Sequence, residues 1–153
     1  MPTPAPGSLA PDFTAETDAG PLTLSSLRGR KVVLYFYPKD ATPGCTIEAR
    51  EFALLAERFA AANTTILGIS RDSVKSHQKF RTKECLPFAL VADTGPVCEA
   101  YGAWRLKKLY GREYEGIARI SFLVDEAGHI AQVWDPVTAK GHAAQVLAAA
   151  EAR

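Results

Sequence analysis

The sequence is poor in cysteine, and this scarcity excludes several kinds of protein. Three cysteines in 153 residues are too few for a structural disulfide framework. They also lack the paired C-x-x-C spacing that is typical of a zinc site. Histidine is equally scarce, and its three occurrences are scattered, so we expect the histidines at the surface and neither a metal ion nor another cofactor in the protein.

The sequence also lacks an excess of charge of one sign and lacks long apolar runs. With 18 basic and 17 acidic residues the net charge is +1, which excludes a bulk attraction to nucleic acid or to anionic membranes. No apolar run approaches the roughly 20 residues that a membrane-spanning helix needs. Residues 1–11 are rich in proline and lack the apolar core of a signal peptide. We therefore expect a cytoplasmic protein whose partners include neither nucleic acid nor membrane.

The order of predicted elements favours one domain of the α/β class. Residues 1–153 contain neither a repeat nor a linker, and this length allows a substantial core. Strands that alternate with helices, followed by a closing hairpin, predict a central mixed β-sheet flanked by helices, with an N-terminal hairpin as an extension. The predicted strands are a hairpin in 13–23, then 31–37, 64–70, 88–92 and a second hairpin of 119–125 with 130–134; the predicted helices are 46–63, 73–84, 96–101 and a last one through 143–150, and 102–116 is predicted to be a polar, basic loop.

One cysteine lies at a chemically distinctive position. Residues 31–37 are rich in Val, Tyr and Phe and predict a buried strand, which prolines and a glycine within 38–44 break into a loop. Cys45 follows in the first turn of a helix, where unpaired N–H groups and the helix dipole favour an anion. The thiolate is the reactive form of cysteine, so Cys45 is a candidate nucleophile for a small electrophile such as a peroxide. Thr42, three residues earlier, can direct its hydroxyl toward the same sulfur.

The residues around Cys45 resemble the peroxiredoxin family. Pro38-x-x-x-Thr42-x-x-Cys45 is similar to the active-site motif of that family, and the longer string from Phe36 to Ala49 resembles its bacterioferritin-comigratory-protein (PrxQ) subfamily. The resemblance implies a thioredoxin-like fold and a thiol-dependent peroxidase that reduces hydrogen peroxide and organic hydroperoxides. Further similar motifs follow in order along most of the chain, at 10–13, 68–70 and 116–123.

The same resemblance implies roles for the residues near Cys45. Arg119 would place a cation near the sulfur and hold the peroxide oxygens; without the family match, a strand-edge charge exposed to water is an equally good interpretation. Thr42 would bind the peroxide or the sulfur, and Pro38 would shield the thiolate from water. Glu48 would orient Thr42 or Arg119, or else would be an exposed carboxylate near the positive end of the helix dipole.

The sequence leaves open which thiol completes the catalytic cycle. After reaction with peroxide, Cys45 becomes a sulfenic acid that condenses with a second thiol. Many members of the similar subfamily carry this resolving cysteine at the position of Arg50, and others at the position of Arg81, whereas this chain has Cys85. We therefore expect Cys85 to resolve Cys45 as an intramolecular disulfide. Cys98, a small core residue in the simpler interpretation, is the alternative partner.

The resemblance also implies that thioredoxin or a similar dithiol protein reduces this disulfide, and that the protein is a monomer. Two other mechanisms stay open. One is a one-cysteine peroxidase in which an external thiol resolves Cys45, and the other is a peroxide-sensing thiol switch that acts on a partner. A thioredoxin-type disulfide reductase is disfavoured, because Thr42 occupies the place of the first cysteine in its C-x-x-C motif.

Overall fold

A seven-stranded mixed β-sheet forms the centre of the structure, a computed structural model that describes residues 2–153. The strands are β1 (Thr14–Thr17), β2 (Gly20–Thr23), β3 (Lys31–Phe36), β4 (Thr64–Ser70), β5 (Ala89–Ala92), β6 (Trp104–Leu109), β7 (Arg112–Ile117), β8 (Ile120–Val124) and β9 (Ile130–Trp134). The strand order in the main sheet is β2-β1-β5-β4-β3-β8-β9, and β6 pairs with β7 in a separate hairpin. The α/β fold with a mixed sheet is therefore confirmed.

β3 is the strand around which the sheet is built. Its residues are all buried, as its continuous run of apolar and aromatic side chains predicts. It pairs in parallel with β4, where Leu34 lies opposite Leu67, and antiparallel with β8, where Leu34 lies opposite Phe122. This pairing fixes which residues meet at the carboxyl end of β3, where the loop to Cys45 begins.

Helices cover the sheet unequally. They are α1 (Pro43–Leu54), α2 (Ala56–Ala61), α3 (Val74–Glu84), α4 (Pro96–Ala100) and α5 (His142–Glu151). One face of the sheet carries α1, α2, α3 and α5, whose apolar side chains pack with Tyr35 of β3 in one core cluster. Val97 and Cys98 of α4 belong to the second cluster, with Leu34, on the opposite face. Because neighbouring residues of a strand point to opposite faces, Leu34 and Tyr35 separate these two cores.

The helix boundaries follow local sequence signals. Pro43 opens α1, a position where a proline loses no intrahelical bond. Ser73 caps α3 by accepting a hydrogen bond from the N–H of Ser76 at 3.1 Å. The single helix predicted through 46–63 is instead interrupted at Leu55, and both Phe52 and Phe59 reach the same core with ring centroids 5.8 Å apart.

The prediction of a loop at 102–116 is wrong, because this segment forms the β6–β7 hairpin. Tyr110 and Gly111 make its two-residue turn with positive φ values of 51° and 76°, the conformation that suits a tight hairpin. The pattern was hidden because the strands carry many charged residues and few apolar ones. The N-terminal hairpin is as predicted, and its β1 extends the main sheet by pairing with β5.

Within residues 2–153, none of the helices combines the length and the apolar character needed to cross a membrane.

Candidate active site

Cys45 lies buried in the first turn of α1, directly after the loop that leaves β3. Thr42 precedes the helix in an extended conformation, and no side chain caps this helix start among the described residues. The first N–H groups of α1 have no carbonyl partner within the helix. They therefore remain available to an anion that forms beside Cys45.

Arg119 reaches Cys45 because β8 runs antiparallel to β3. Phe36 at the end of β3 lies opposite Ile120, so Arg119 lies one residue beyond, next to the loop that carries Cys45. The guanidinium Nη2 is 3.4 Å from the Sγ atom of Cys45. A Cβ atom on Gly44 would lie 3.2 Å from the same Nη2, so the glycine leaves room for the arginine.

Glu48 holds the other side of this guanidinium. It lies one helical turn after Cys45, and its Oε1 accepts a hydrogen bond from Arg119 Nη1 at 2.6 Å. Its side chain is 0% exposed, so the interpretation as an exposed carboxylate is wrong. Burial raises the pKa of Glu48 to about 7, although the charge of Arg119 acts in the opposite direction. Its Oε2 has no hydrogen-bond partner among the described residues.

Thr42 and Pro38 lie at the two ends of the loop between β3 and α1. The hydroxyl of Thr42 donates to the carbonyl of Lys39 at 2.7 Å, which closes the loop into a turn. Its oxygen keeps the capacity to accept a second hydrogen bond. Pro38 is exposed at the start of the loop. The roles of both residues toward peroxide therefore remain predictions from the motif.

A buried polar network fixes this loop against α3. Asp40 accepts hydrogen bonds from the hydroxyls of Tyr37 at 2.6 Å and Ser76 at 2.8 Å, and its Oδ2 lies 2.8 Å from His77 Nδ1. The N–H of Asp40 donates to Asp72 at 2.9 Å. Although burial acts to raise it, the hydrogen bonds from His77 and Tyr37 hold the pKa of Asp40 below its usual value. The active-site loop and α3 are thereby joined by charge-assisted hydrogen bonds.

The same network brings together possible metal ligands. Atoms of Asp40, Asp72 and His77 lie within 4.8 Å of one another. Each of these side chains is already engaged with protein groups, since His77 Nε2 also lies 2.9 Å from the carbonyl of Val91 and Asp72 accepts from Ser70 at 2.6 Å. The cluster is therefore a structural support of the loop.

The structure distinguishes the two candidate partner thiols. Cys85 is exposed directly after α3, in a left-handed conformation with φ 53° that a non-glycine residue adopts at some cost. Cys98 is buried in the core on the sheet face opposite to Cys45. Burial, and next the hydrogen bond and charge of Asp93, raise the pKa of Cys98 far above its ordinary value. Cys98 is thus an inert core thiol, and Cys85 is the accessible one.

Cys45 and Cys85 lie toward opposite ends of the helical layer. Helices α1 and α3 both begin at the carboxyl ends of the parallel strands β3 and β4. Cys45 lies near the start of α1, whereas Cys85 follows the 11 residues of α3, a length of about 16 Å. Disulfide formation requires Cα atoms within roughly 7 Å, so it requires local unwinding of both segments.

An ion pair joins the segments that carry these thiols. Arg50 of α1 pairs with Glu84, the last residue of α3 and the neighbour of Cys85. The Arg50 side chain is 62% exposed, while that of Glu84 is only 6% exposed. The similar subfamily carries its resolving cysteine at the position of Arg50 in many members. In this chain, Arg50 instead holds the end of α3 against α1.

Two features near the site were not predicted from the sequence. His142 is buried with Nε2 2.8 Å from the hydroxyl of Ser121, and burial lowers its pKa to about 4. The expectation of surface histidines is therefore wrong for His142 and for the buried His77, and it holds for His129. Burial, and next the charge of Arg119, lower the pKa of Lys107 on β6.

The comparisons with known proteins agree with this geometry. The chain matches the AhpC/TSA family over residues 6–133. A Coxiella burnetii protein assigned as a peroxiredoxin Bcp is 50% identical over 143 residues, which are 92% of this chain and 95% of that protein. The peroxiredoxin Bcp of Bacillus subtilis is 46% identical over 143 residues, which are 92% of this chain and 91% of that protein. A solved structure of the Xanthomonas campestris bacterioferritin comigratory protein, which has alkyl peroxide reduction activity, is 40% identical with a TM-score of 0.90 and covers 97% of this chain and 98% of its own.

A cysteine at a helix start, paired with an arginine on a thioredoxin-like fold, defines the class: the chain belongs to the AhpC/TSA family and is a thiol-dependent peroxidase. Within that family, it is a peroxiredoxin of the Bcp or PrxQ subfamily. The fold and the enzymatic class that the resemblance implied are thereby confirmed.

Proposed function

We propose that Cys45 is the peroxidatic cysteine and that Arg119 is the cation that stabilises its reaction. The observation that carries this proposal is the 3.4 Å contact between Arg119 Nη2 and Cys45 Sγ at the start of α1. The thiolate attacks one peroxide oxygen, the O–O bond breaks, and the other oxygen takes a proton and leaves as water or an alcohol. Arg119, Thr42 and the first N–H groups of α1 stabilise the charge that moves onto the leaving oxygen. Pro38 limits the access of water.

Cys85 resolves the resulting sulfenic acid. Its thiolate attacks Cys45 Sγ, the S–O bond breaks, the leaving hydroxide takes up a proton and departs as water, and an intramolecular disulfide forms. The exposure of Cys85 directly after α3 and its left-handed backbone support this role, since both favour local unwinding. Cys98 is disfavoured because it lies on the opposite face of the sheet.

The substrate class and the reductant follow from the family. The Xanthomonas campestris relative reduces alkyl peroxides, and we extend this to hydrogen peroxide and organic hydroperoxides here. Thioredoxin or a similar dithiol protein reduces the Cys45–Cys85 disulfide by thiol exchange. The enzyme works as a monomer in the cytoplasm, where a reducing environment suits its three free cysteines.

Serine variants of the three cysteines test this mechanism. Cys45→Ser abolishes peroxide consumption. Cys85→Ser still forms a sulfenic acid at the normal rate but loses turnover with thioredoxin, and Cys98→Ser serves as the control that keeps both activities. Stopped-flow kinetics with hydrogen peroxide, followed by a coupled thioredoxin assay, separates the two steps. Full thioredoxin-supported turnover of Cys85→Ser would instead identify a one-cysteine peroxidase, and full activity of Cys45→Ser would contradict the whole mechanism.

A further inference from the structure

A groove lined by lysines runs between the active-site loop and α3. One wall is formed by the loop, with Lys39, Asp40 and Ala41, and the other wall by α3 and the residues before it, which include Asp72. The carboxylates of Asp40 and Asp72 accept hydrogen bonds within the polar network described above, whereas the lysines point their charges to the surface. The helix contributes Lys75, Lys79 and Lys83, which are all exposed. These lysines belong to two different segments, so the fold and not a single charged run creates the basic surface.

The spacing of the three lysines and the position of Lys75 oppose the preferences of the helix, whereas Lys83 lies in the last turn, where the helix dipole favours a cation. Positions 75, 79 and 83 are four residues apart, so their charges lie on one face and repel one another. Lys75 also lies in the first turn, where a cation opposes the helix dipole and where no acidic residue compensates it. Within residues 2–153, no salt bridge involves Lys39, Lys75, Lys79 or Lys83. A local structural role therefore does not account for this surface.

The position of the groove relates it to the redox chemistry. The loop that forms one wall leads directly into Cys45, and the helix that forms the other wall ends at the exposed Cys85. The proposed disulfide requires rearrangement around Cys45 and Cys85, whereas Lys75 and Lys79 lie further back in α3. A molecule that spans the groove consequently reaches the two segments that carry the bond to be reduced.

We propose that this lysine groove is the docking surface for an acidic face of the dithiol protein that reduces the enzyme, an inference that rests on the proposed Cys45–Cys85 disulfide. The net charge of only +1 confines the attraction to this surface, which favours a local protein contact over a polyanion such as nucleic acid. A thiolate of the partner attacks Cys85 Sγ and releases Cys45 as a thiolate, which leaves a mixed disulfide. The second thiol of the partner then attacks that bond, so that the partner leaves oxidised and Cys85 is a thiol again.

Charge reversal on α3 tests the docking surface. The variant Lys79→Glu/Lys83→Glu is compared with Arg28→Glu/Arg30→Glu, which makes the same change in net charge with two exposed residues before the other end of β3. The reductant is a thioredoxin of net negative charge, and dithiothreitol serves as the uncharged small dithiol. We expect kcat/KM for thioredoxin to fall about tenfold or more at low salt in the α3 variant alone. The difference shrinks at high salt because added ions screen the attraction.

The experiment distinguishes a failure of the docking surface from a failure of the proposed disulfide. Formation of the Cys45–Cys85 disulfide after peroxide is measured first in each variant, and the docking test uses the preformed disulfide. An unchanged rate with thioredoxin overturns the docking surface while leaving the disulfide mechanism intact. An equal loss of rate with dithiothreitol also overturns it, because such a loss arises from the disulfide itself. Lys79→Gln/Lys83→Gln checks folding and is expected to show a smaller loss with thioredoxin only.

Discussion

At the scale of single residues, the Glu48–Arg119 pair is the most consequential feature of the site. Arg119 contacts Cys45 with one nitrogen and Glu48 with the other, so the carboxylate sets the direction of the guanidinium. Complete burial of Glu48 makes its ionised form costly, and one of its oxygens lacks a partner among the described residues. The site therefore combines a useful orientation with a local loss of stability.

The cost of burying an ionised Glu48 predicts a specific pH dependence of the free energy of unfolding. The folded protein holds a proton on Glu48 up to a pKa of about 7, above the ordinary value of 4.5. The stabilisation from the neutral form is present below pH 4.5 and is lost as pH rises through 7. Glu48→Gln cannot ionise, so it does not lose stability in this pH range as the native enzyme does. The unfolding free energy of Glu48→Gln minus that of the native enzyme should therefore rise by up to about 3 kcal/mol between pH 4 and pH 8.

Urea unfolding at a series of pH values, under reducing conditions, measures this difference. Glu57→Gln is a matched control, because Glu57 is exposed on α2 and its substitution removes the same charge as Glu48→Gln. A pH-independent difference between Glu48→Gln and the native enzyme would show that Arg119 keeps Glu48 ionised and would contradict the prediction.

Much of the site at this scale was predictable from the motif. The position of Cys45 follows from a strand and a loop with proline and glycine, and the proximity of Arg119 from the family resemblance, whereas the roles of Thr42 and Pro38 stay predictions. The burial of His77 and His142 was not predictable, because a histidine carries no local signal of burial. Their environments depend on contacts with residues remote in sequence, such as Asp40 for His77 and Ser121 for His142.

At the scale of secondary structure, the contact between α1 and α3 decides how the two thiols meet. The Arg50–Glu84 pair lies between the segment after Cys45 and the segment before Cys85. In the proposed cycle, unwinding of the first turn of α1 would leave Arg50 in the intact part of the helix, paired with Glu84. We infer that the pair keeps Cys85 close to the segment from which the sulfenic acid would emerge.

We predict that Arg50→Gln slows disulfide formation about two- to fivefold, the range expected for a largely exposed ion pair, without changing the rate of sulfenic acid formation. Arg58→Gln is the matched control, because Arg58 is also 62% exposed and pairs with Glu151 at a different helix contact. The exchange Arg50→Glu/Glu84→Arg should restore the rate. Stopped-flow fluorescence after peroxide addition resolves both phases, and equal rates for Arg50→Gln and Arg58→Gln would contradict this role.

The elements themselves were predicted with uneven success. The strand at Thr64–Ser70 was located from its apolar run, and the helix that ends at Glu84 from its cap and the following proline. The β6–β7 hairpin was missed, because its strands carry many charged and few apolar residues without a regular alternation, and only the turn at Tyr110-Gly111 identifies them. An exposed two-stranded hairpin buries too little surface to leave a strong pattern.

At the scale of the whole molecule, the fold separates the two thiols of the proposed cycle and keeps a third thiol out of reach. Cys45 lies buried under α1, Cys85 is exposed at the far end of α3, and Cys98 lies behind the sheet. The proposed cycle therefore requires local unfolding at two helix ends. The strand pairings of the mixed sheet involve neither thiol, because neither is part of a strand, whereas Cys45 belongs to the core cluster on the helical face.

The central claim is that Cys85 is the thiol that closes this cycle. The most direct measurement is the intact mass, with peptide mapping under non-reducing conditions, after one equivalent of hydrogen peroxide. The account predicts the loss of two hydrogen atoms from the intact mass and a single cross-linked peptide pair that contains Cys45 and Cys85. A stable sulfenic acid on Cys45, or a disulfide between Cys45 and Cys98, would contradict it.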